Sequence, residues 1–183
     1  MSIVRPKPGR AQIKDDGNTI IMIIPVKKNW LIIPFYSFWL CGWAVGEFMA
    51  PFAFFRSGTP IFVFAFVLAW LVIWTMGGLY AIWILLWNIF GQEIVTVNNE
   101  ILQIDNRVFR FGRSREYLIN ETRNYRAKSD SMAFFSAGLR DYSKGTVKFD
   151  YGMKTFDFGM NIEESEALYI INLLKSRGFI KND

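Results

Sequence analysis

Acidic side chains are the first candidates for chemistry in this chain, because it contains no His. Histidine is the residue that most often serves as general base near neutral pH and as metal ligand, so both roles lose their usual residue. Glu163, Glu164 and Glu166 cluster at a predicted helix start, where favourable charge at the positive end of the helix dipole explains them better than a metal site. Asp150 and Asp157 lie on adjacent strands of a predicted hairpin and could face each other. We interpret them as solvated strand residues rather than a catalytic pair.

Motifs for nucleotide binding and nucleophilic catalysis are missing from the sequence. Gly152 and Gly159 begin short runs that lack both the spacing and the Lys-Ser/Thr pair of a P-loop. Without His no Ser-His-Asp triad can form. The single Cys41 excludes a disulfide or a Cys-based zinc site within one chain. We therefore expect no enzymatic activity, no cofactor and no bound metal.

Glu47 is the acid that stands inside an apolar stretch. A carboxylate at the centre of a bilayer is costly and is usually functional. Counted from Trp30, however, Glu47 is expected near the outer interface, and Arg56 is close enough in sequence to pair with it. A structural or interfacial role is favoured over proton or ion handling, since no second intramembrane acid or base is present for a relay.

Basic residues flank the apolar segment of this chain. The net charge of the whole chain is +5. The basic residues closest to the apolar segment are Lys27, Lys28, Arg107, Arg110, Arg113 and Arg115. On one regular strand Arg107, Arg113 and Arg115 would share a face and Arg110 would not. Two interpretations stay open: contact with an anionic lipid surface, or solubilising side chains that obey the positive-inside rule. No nucleic-acid-binding motif accompanies the charge, so we expect no nucleic-acid partner.

Two long apolar runs must position these residues. About 20 helical residues cross the hydrocarbon of a bilayer, so residues 30–55 and 61–90 are predicted transmembrane helices, joined by an external turn at residues 56–60. Lys and Arg are concentrated outside the two runs, which predicts that both termini are cytoplasmic.

Small residues in the two runs mark sites of close helix packing. Gly42 and Gly46 have GxxxG spacing in the first run, and Gly77 and Gly78 are adjacent in the second. Packing of the two helices on each other is the favoured interpretation. Contact between copies of the chain is the alternative.

The flanking segments predict a β domain on the side of the membrane that holds both termini. Residues 1–18 are predicted to be a flexible arm, and residues 19–29 a strand that could join a C-terminal sheet. Residues 92–178 alternate in hydrophobicity as antiparallel strands do, and residues 179–183 follow as a tail.

Turn and capping residues predict where the strands and the helix of this β domain begin and end. Asn98-Asn99 predicts a tight hairpin turn at positive φ, and Gly152-Met153 predicts a second hairpin. Residues 108–113 are predicted to form one strand, and residues 128–143 a loop. The closing helix is expected to have Asn161 as N-cap and Gly178 as its stop, with Ala167, Ile170, Ile171 and Leu174 on its buried face.

Short antiparallel strands closed by one amphipathic helix resemble the element order of a pleckstrin-homology-like (PH-like) fold. The combination with a helical hairpin is similar to a set of uncharacterised bacterial inner-membrane proteins. The residues that carry this resemblance are 24–30, 38–47, 149–152, 155–159 and 166–167. The resemblance implies a membrane α-helical hairpin plus a mainly-β PH-like domain in the bacterial inner membrane. It implies no reaction, because fold does not confer function.

Three functions are compatible with this architecture. The leading hypothesis is a non-enzymatic scaffold or accessory subunit of a larger inner-membrane complex, with membrane lipids and other membrane-protein subunits, or a second copy of the chain, as partners. The alternative is a sensor of anionic lipid surfaces that uses the juxtamembrane Lys and Arg residues. An oligomeric ion or solute carrier built around Glu47 is less favoured, because one carboxylate makes a poor pathway.

Overall fold

The chain folds as two compact units. The computed structural model describes residues 9–55, 60–128, 145–160 and 162–180. One unit is Lys28–Ile89, and the other combines Met1–Lys27 with Phe90–Asp183. The predicted combination of two long apolar helices, an antiparallel β region and a C-terminal helix is confirmed.

The helical unit contains α1, Ile32–Phe55, and α2, Ile61–Phe90. At 1.5 Å per residue the two helices are roughly 36 and 45 Å long, so both exceed the ~30 Å of a bilayer core. The α1 helix begins two residues later than predicted, because Asn29 accepts a hydrogen bond from the Leu31 backbone N–H (3.0 Å) and forms a turn first. The predicted turn at residues 56–60 lies outside the described residues except for Pro60.

Five antiparallel strands form the larger sheet of the β unit, in the order β1-β2-β3-β4-β5. Their bounds are β1 Gln12–Asp15, β2 Thr19–Pro25, β3 Gly91–Asn98, β4 Ile101–Val108 and β5 Phe111–Leu118. Although 65 residues separate the end of β2 from the start of β3, the two strands pair along their length, from Thr19 opposite Asn98 to Pro25 opposite Gln92. Chain continuity therefore makes the helical hairpin an insertion between two neighbouring strands of one sheet.

The β unit includes residues that were predicted to lie outside it. The arm predicted over residues 1–18 is wrong in its second half, because residues 12–15 form β1 and pair with β2. The tail predicted at residues 179–183 is wrong at its start, because Phe179 and Ile180 are buried in the core. Both segments complete the core, and neither signals this by periodicity because each is too short.

Turn geometry differs from the sequence prediction at two hairpins. Asn98 and Asn99 do not have positive φ; the Asn98 side chain instead accepts hydrogen bonds from the N–H groups of Glu100 (2.9 Å) and Ile101 (2.6 Å). The strand predicted over residues 108–113 is interrupted by a turn, in which Phe109 has a φ of 55°. Val108 consequently pairs with Phe111 across the β4–β5 hairpin.

The second sheet has three strands, β6 Thr122–Ala127, β7 Gly145–Tyr151 and β8 Lys154–Met160. A short 3₁₀ helix, Ile119–Glu121, leads into it from β5. The predicted β7–β8 hairpin is present, with Gly152 at a φ of 60°. Most of the loop predicted over residues 128–143 lies outside the described residues.

The closing helix α3, Glu164–Ser176, packs against β6 and β7. Its predicted apolar face is confirmed, since Ala167, Ile170, Ile171 and Leu174 are buried. The predicted N-cap is wrong: Glu163 occupies that position without a side-chain hydrogen bond, and Asn161 lies outside the described residues. Gly178, at a φ of 76°, ends the helix as predicted, which lets the Phe179 N–H bond to the Leu174 carbonyl (3.1 Å).

Candidate functional site

Glu47 contacts the middle of α2. The Thr75 hydroxyl lies 2.6 Å from Glu47 Oε1 and 2.8 Å from the Leu71 carbonyl, and its single hydrogen can serve one of these acceptors at a time. Thr75 is the fifteenth of the 30 residues of α2, so the contact is at half the length of that helix. The position of Glu47 near the outer interface, expected from counting along α1, stays a prediction. The predicted partner Arg56 lies outside the described residues.

Tryptophans enclose this polar contact. Trp43 donates its indole N–H to the Trp74 carbonyl (3.1 Å), and the rings of Trp39 and Trp74 lie 6.2 Å apart. Glu47 Oε2 and the Trp74 indole N–H are buried and have no hydrogen-bond partner among the described residues. The centre of the hairpin thus holds one acceptor and one donor that the described side chains leave unpaired.

The four predicted packing glycines have two different environments. A Cβ at Gly46 would touch the Trp74 ring at 3.6 Å, and a Cβ at Gly78 would collide with the Trp43 ring. A Cβ at Gly42 or at Gly77 would meet nothing within 4 Å in the described part of the chain. The helices therefore approach through glycine against tryptophan, and only one glycine of each pair takes part.

One end of the five-stranded sheet joins the helices. We call it the helix-junction end: residues 25–28, where β2 leads toward α1, residues 90–92, where α2 leads into β3, and residues 107–112 beside them. The Val26 N–H donates to the Gly91 carbonyl (3.0 Å), and Val108 pairs with Gly91 on the other side of β3. The β4–β5 turn is thus next to the strand residue that follows α2.

The predicted basic cluster does not lie on a single face. Lys27 and Lys28 follow β2, and Arg110 lies in the β4–β5 turn. Residues that are directly opposed on two strands share a face of the sheet. Arg115 is opposite Ile104, so Arg115 and Arg113, two residues earlier, project on the face of Ile104. Arg107 is opposite Gly112 and therefore projects on the other face. The prediction that Arg107, Arg113 and Arg115 share a face is therefore wrong, because the turn at Phe109 inverts the parity.

Among the residues that the structure describes, Arg107 is the member of the basic cluster that forms an ion pair. Its guanidinium forms an ion pair with Asp105, which is nearly buried on β4. Arg113 and Arg115 are exposed on β5. The exposed positive charge at and beyond the helix-junction end is therefore carried by Lys27 and Lys28 after β2, by Arg110 in the turn, and by Arg113 and Arg115 on β5.

Three phenylalanines at the helix-junction end were not singled out from the sequence. Phe109 and Phe111 are 59% and 75% exposed, and the Phe109 ring lies 4.7 Å from that of Phe90. A bulky residue at positive φ is rare and strained, and positive φ at the first of two turn residues is typically supplied by Gly. The sequence hides this turn because neither Gly nor Asn occupies it.

β5 is an edge strand of the larger sheet, with β4 as its only strand partner in the described chain. The Ile119 N–H donates to the Glu100 carbonyl (2.9 Å), and hydrogen-bonded pairs alternate along an antiparallel ladder. The backbone groups of Gly112, Ser114 and Glu116 consequently point away from β4. All of β5 is exposed except Tyr117.

Glu93 is a buried carboxylate that joins the two sheets. Its Oε2 accepts hydrogen bonds from the backbone N–H groups of Gly159 and Met160 on β8, both at 2.8 Å. Burial raises the pKa of Glu93 to about 7, although the two N–H groups act in the opposite direction. The sequence could have indicated that Glu93 is buried, because it lies on the same face of β3 as the core residues Val95 and Val97.

The other acids hold structure together. Asp150 is opposite Thr155 and Asp157 is opposite Lys148, so the two aspartates do not face each other as the sequence allowed. Asp150 pairs with Arg126 at 2.9 Å, and hydrogen bonds from that guanidinium hold the pKa of Asp150 well below its usual range.

Glu166 takes part in a further structural contact. It is buried and accepts a hydrogen bond from the Ala11 backbone N–H at 2.7 Å, which fastens the segment before β1 to α3. Among the residues that the structure describes, no group of three or more Cys, Asp or Glu side chains is arranged to hold a metal ion.

Comparison of the chain with protein-family models, with curated proteins and with solved structures finds no match in any of the three.

Proposed function

We propose that this chain is a non-enzymatic, membrane-anchored PH-like module that acts as a scaffold or accessory subunit of a larger inner-membrane protein complex. The hairpin is the anchor, both termini are cytoplasmic, and the β unit captures an extended segment of a membrane-protein partner. The observation that carries the proposal is the exposed edge strand β5, in a sheet whose neighbouring strands β2 and β3 continue into α1 and α2.

Exposure of the two helices supports the anchor. Both are long and apolar enough to cross a bilayer, and almost none of their apolar side chains are buried within the protein. The core helix of a soluble protein would bury such side chains. Lipid is the environment in which so large an apolar surface is stable.

The arrangement of the β unit supports a PH-like fold. Two antiparallel sheets enclose a common core with α3, and the element order is strands followed by one helix. The five-stranded sheet has one strand more than the four-plus-three arrangement of that fold, and β1 supplies it at the edge opposite β5. The insertion of the hairpin between β2 and β3 ties the domain to the membrane at two adjacent points.

Partner capture follows from the chemistry of β5. An exposed edge strand offers unpaired N–H and C=O groups, to which an extended segment can add as a further strand. Arg113 and Arg115 give this edge positive charge on one face, so the partner segment is expected to be acidic. The buried acids Glu93 and Glu166 are engaged with backbone N–H groups, which supports structural rather than catalytic roles.

Purification from the source membrane in mild detergent, followed by mass spectrometry, tests this proposal. Ser114→Pro removes an outward N–H from β5 and leaves the β4 ladder intact, because that N–H does not point at β4. Ser114→Ala is the matched control, since both variants lose the hydroxyl that accepts from Gln103 (3.2 Å). The wild type and the Ala variant are expected to retain a stoichiometric partner that the Pro variant loses. A chain that elutes alone as wild type, or a partner retained equally by all three, would contradict the proposal.

A further inference from the structure

We propose that the β4–β5 turn, Phe109 to Phe111, inserts its phenylalanine side chains into the interface of an anionic bilayer, while neighbouring Lys and Arg side chains bind lipid headgroups. This activity goes beyond partner capture and uses a different part of the β unit. It concerns the helix-junction end, whereas partner capture uses the outward backbone of β5.

Chain connectivity determines where the turn lies. Gly91 directly follows α2, and Val108, the residue before the turn, pairs with Gly91. Neighbouring strands are about 4.8 Å apart, so the turn begins within one strand spacing of the point where the chain leaves α2. A spanning α2 ends at the bilayer surface, which brings that point to the lipid headgroups.

Exposure of the aromatic rings indicates a contact outside the domain. Phe109 and Phe111 are exposed on both sides of Arg110, although buried positions for aromatic residues exist throughout the core. Aromatic side chains are favoured at the membrane interface, where they lie at the level of the headgroups. Met153 is also fully exposed, in the β7–β8 turn. It lies six residues before Gly159, the β8 residue whose N–H donates to Glu93 on β3. Met153 is therefore roughly 20 Å along the strand from this contact with β3.

The backbone at Phe109 provides an independent observation. Phe109 has a φ of 55°, which Gly would adopt without strain. An aromatic residue that is kept in a strained turn position points to a role for its side chain. The ring packs on Phe90, the last residue of α2. Phe109 and Phe90 therefore form an aromatic pair at the point where the chain enters the β unit after α2.

Charge determines which lipid the turn selects. Lys27, Lys28 and Arg110 lie at the helix-junction end, and Arg113 and Arg115 follow on β5. Basic groups beside a bilayer are attracted to anionic headgroups, and the attraction decreases with ionic strength. An acidic lipid surface thus complements the turn in both charge and hydrophobicity, whereas an apolar patch on a partner protein would match only the rings.

Spin-label accessibility in the full-length chain tests the proposal. With Cys41 replaced by Ala, a nitroxide is attached at Phe111→Cys or, as the matched control, at Met153→Cys. Each protein is placed in nanodiscs of zwitterionic lipid alone or with a third of anionic lipid. Collision with oxygen, which partitions into the bilayer, is compared with collision with a water-soluble nickel chelate.

The label at residue 111 is expected to be shielded from nickel and accessible to oxygen in anionic discs, with less shielding in zwitterionic discs or at high salt. The label at residue 153 is expected to remain aqueous throughout. Equal nickel accessibility at the two positions in anionic discs would overturn the proposal, as would shielding that does not depend on anionic lipid. Shielding that requires other membrane proteins would also overturn it and indicate a protein partner instead.

A second variant separates lipid contact from folding. Phe109→Gly relieves the positive φ and is expected to keep the protection of β3 amides against hydrogen exchange, while the label at residue 111 moves toward water. Unchanged shielding at residue 111 in this variant would show that the turn does not insert as proposed.

Discussion

Removing β2 from the β unit should abolish its folding, whereas removing the whole hairpin should not. A fragment of residues 91–183 keeps every strand after the hairpin but loses Ile20, Met22 and Ile24, which are completely buried. Burying one such side chain stabilises a protein by about 1.5–3 kcal/mol, so the three together contribute on the order of 5–9 kcal/mol. Domains of this size have a net stability of about 5–15 kcal/mol, so this loss alone is comparable to the total.

The matching variant joins β2 directly to β3. Asn-Gly in place of residues 27–90 connects Val26 to Gly91, a pair that already shares a backbone hydrogen bond of 3.0 Å. Asn-Gly is the preferred two-residue hairpin loop. We expect this joined chain to be soluble and cooperatively folded without detergent, as judged by urea unfolding and by dispersion of its amide NMR spectrum.

Two substitutions in the joined chain measure how much a buried β2 side chain contributes to the free energy of unfolding. Met22→Ala, at a completely buried site, should lower the free energy of unfolding by about 2–5 kcal/mol. Met153→Ala makes the same chemical change at a fully exposed site and should alter it by about 0.5 kcal/mol or less. A fragment of residues 91–183 that unfolds cooperatively at the same urea concentration as the joined chain would refute the assignment of β2 to this core.

Further predictions concern Glu93 and the hairpin glycines. Because the pKa of Glu93 rises from 4.5 to about 7 on folding, the folded state binds more protons between these values, and the free energy of unfolding should fall by about 3 kcal/mol as the pH rises from 4.5 to 8. Glu93→Gln, which keeps an acceptor for both N–H groups, should flatten this dependence in urea titrations of the joined chain; an unchanged slope would exclude Glu93 as its source. In the full chain, Gly78→Leu should lower the melting temperature of the hairpin in detergent because the Trp43 ring occupies that space, whereas Gly77→Leu, with open space around it, should not. Equal effects at the two glycines would contradict the observed packing.

The helices and most strands were predictable because their signals are local. Uninterrupted apolar runs indicate α1 and α2, and strict alternation indicates the strands on either side of Asn98. The pairing of β2 with β3 was only a possibility in the sequence, because the two strands are separated by the entire hairpin and no local pattern reports their contact.

Parts of the candidate sites were not predictable for identifiable reasons. The turn at Phe109 lacks Gly and Asn, so residues 108–113 resemble one strand, and the parity of the following arginines was inverted. The contact of Glu47 with Thr75 joins two different helices, and counting along α1 cannot reveal it. Glu93 was detectable, since a charged residue at a core position of an alternating strand needs buried partners.

The most direct test of partner capture is site-specific photo-crosslinking in the native membrane. A photoreactive amino acid at Glu116, an outward position of β5, is compared with the same group at Met153, and crosslinked products are identified by mass spectrometry. We predict a discrete membrane-protein adduct from residue 116, absent from residue 153 and lost in the Ser114→Pro background. No adduct at residue 116, or the same adducts from both positions, would contradict the proposal that β5 binds a partner.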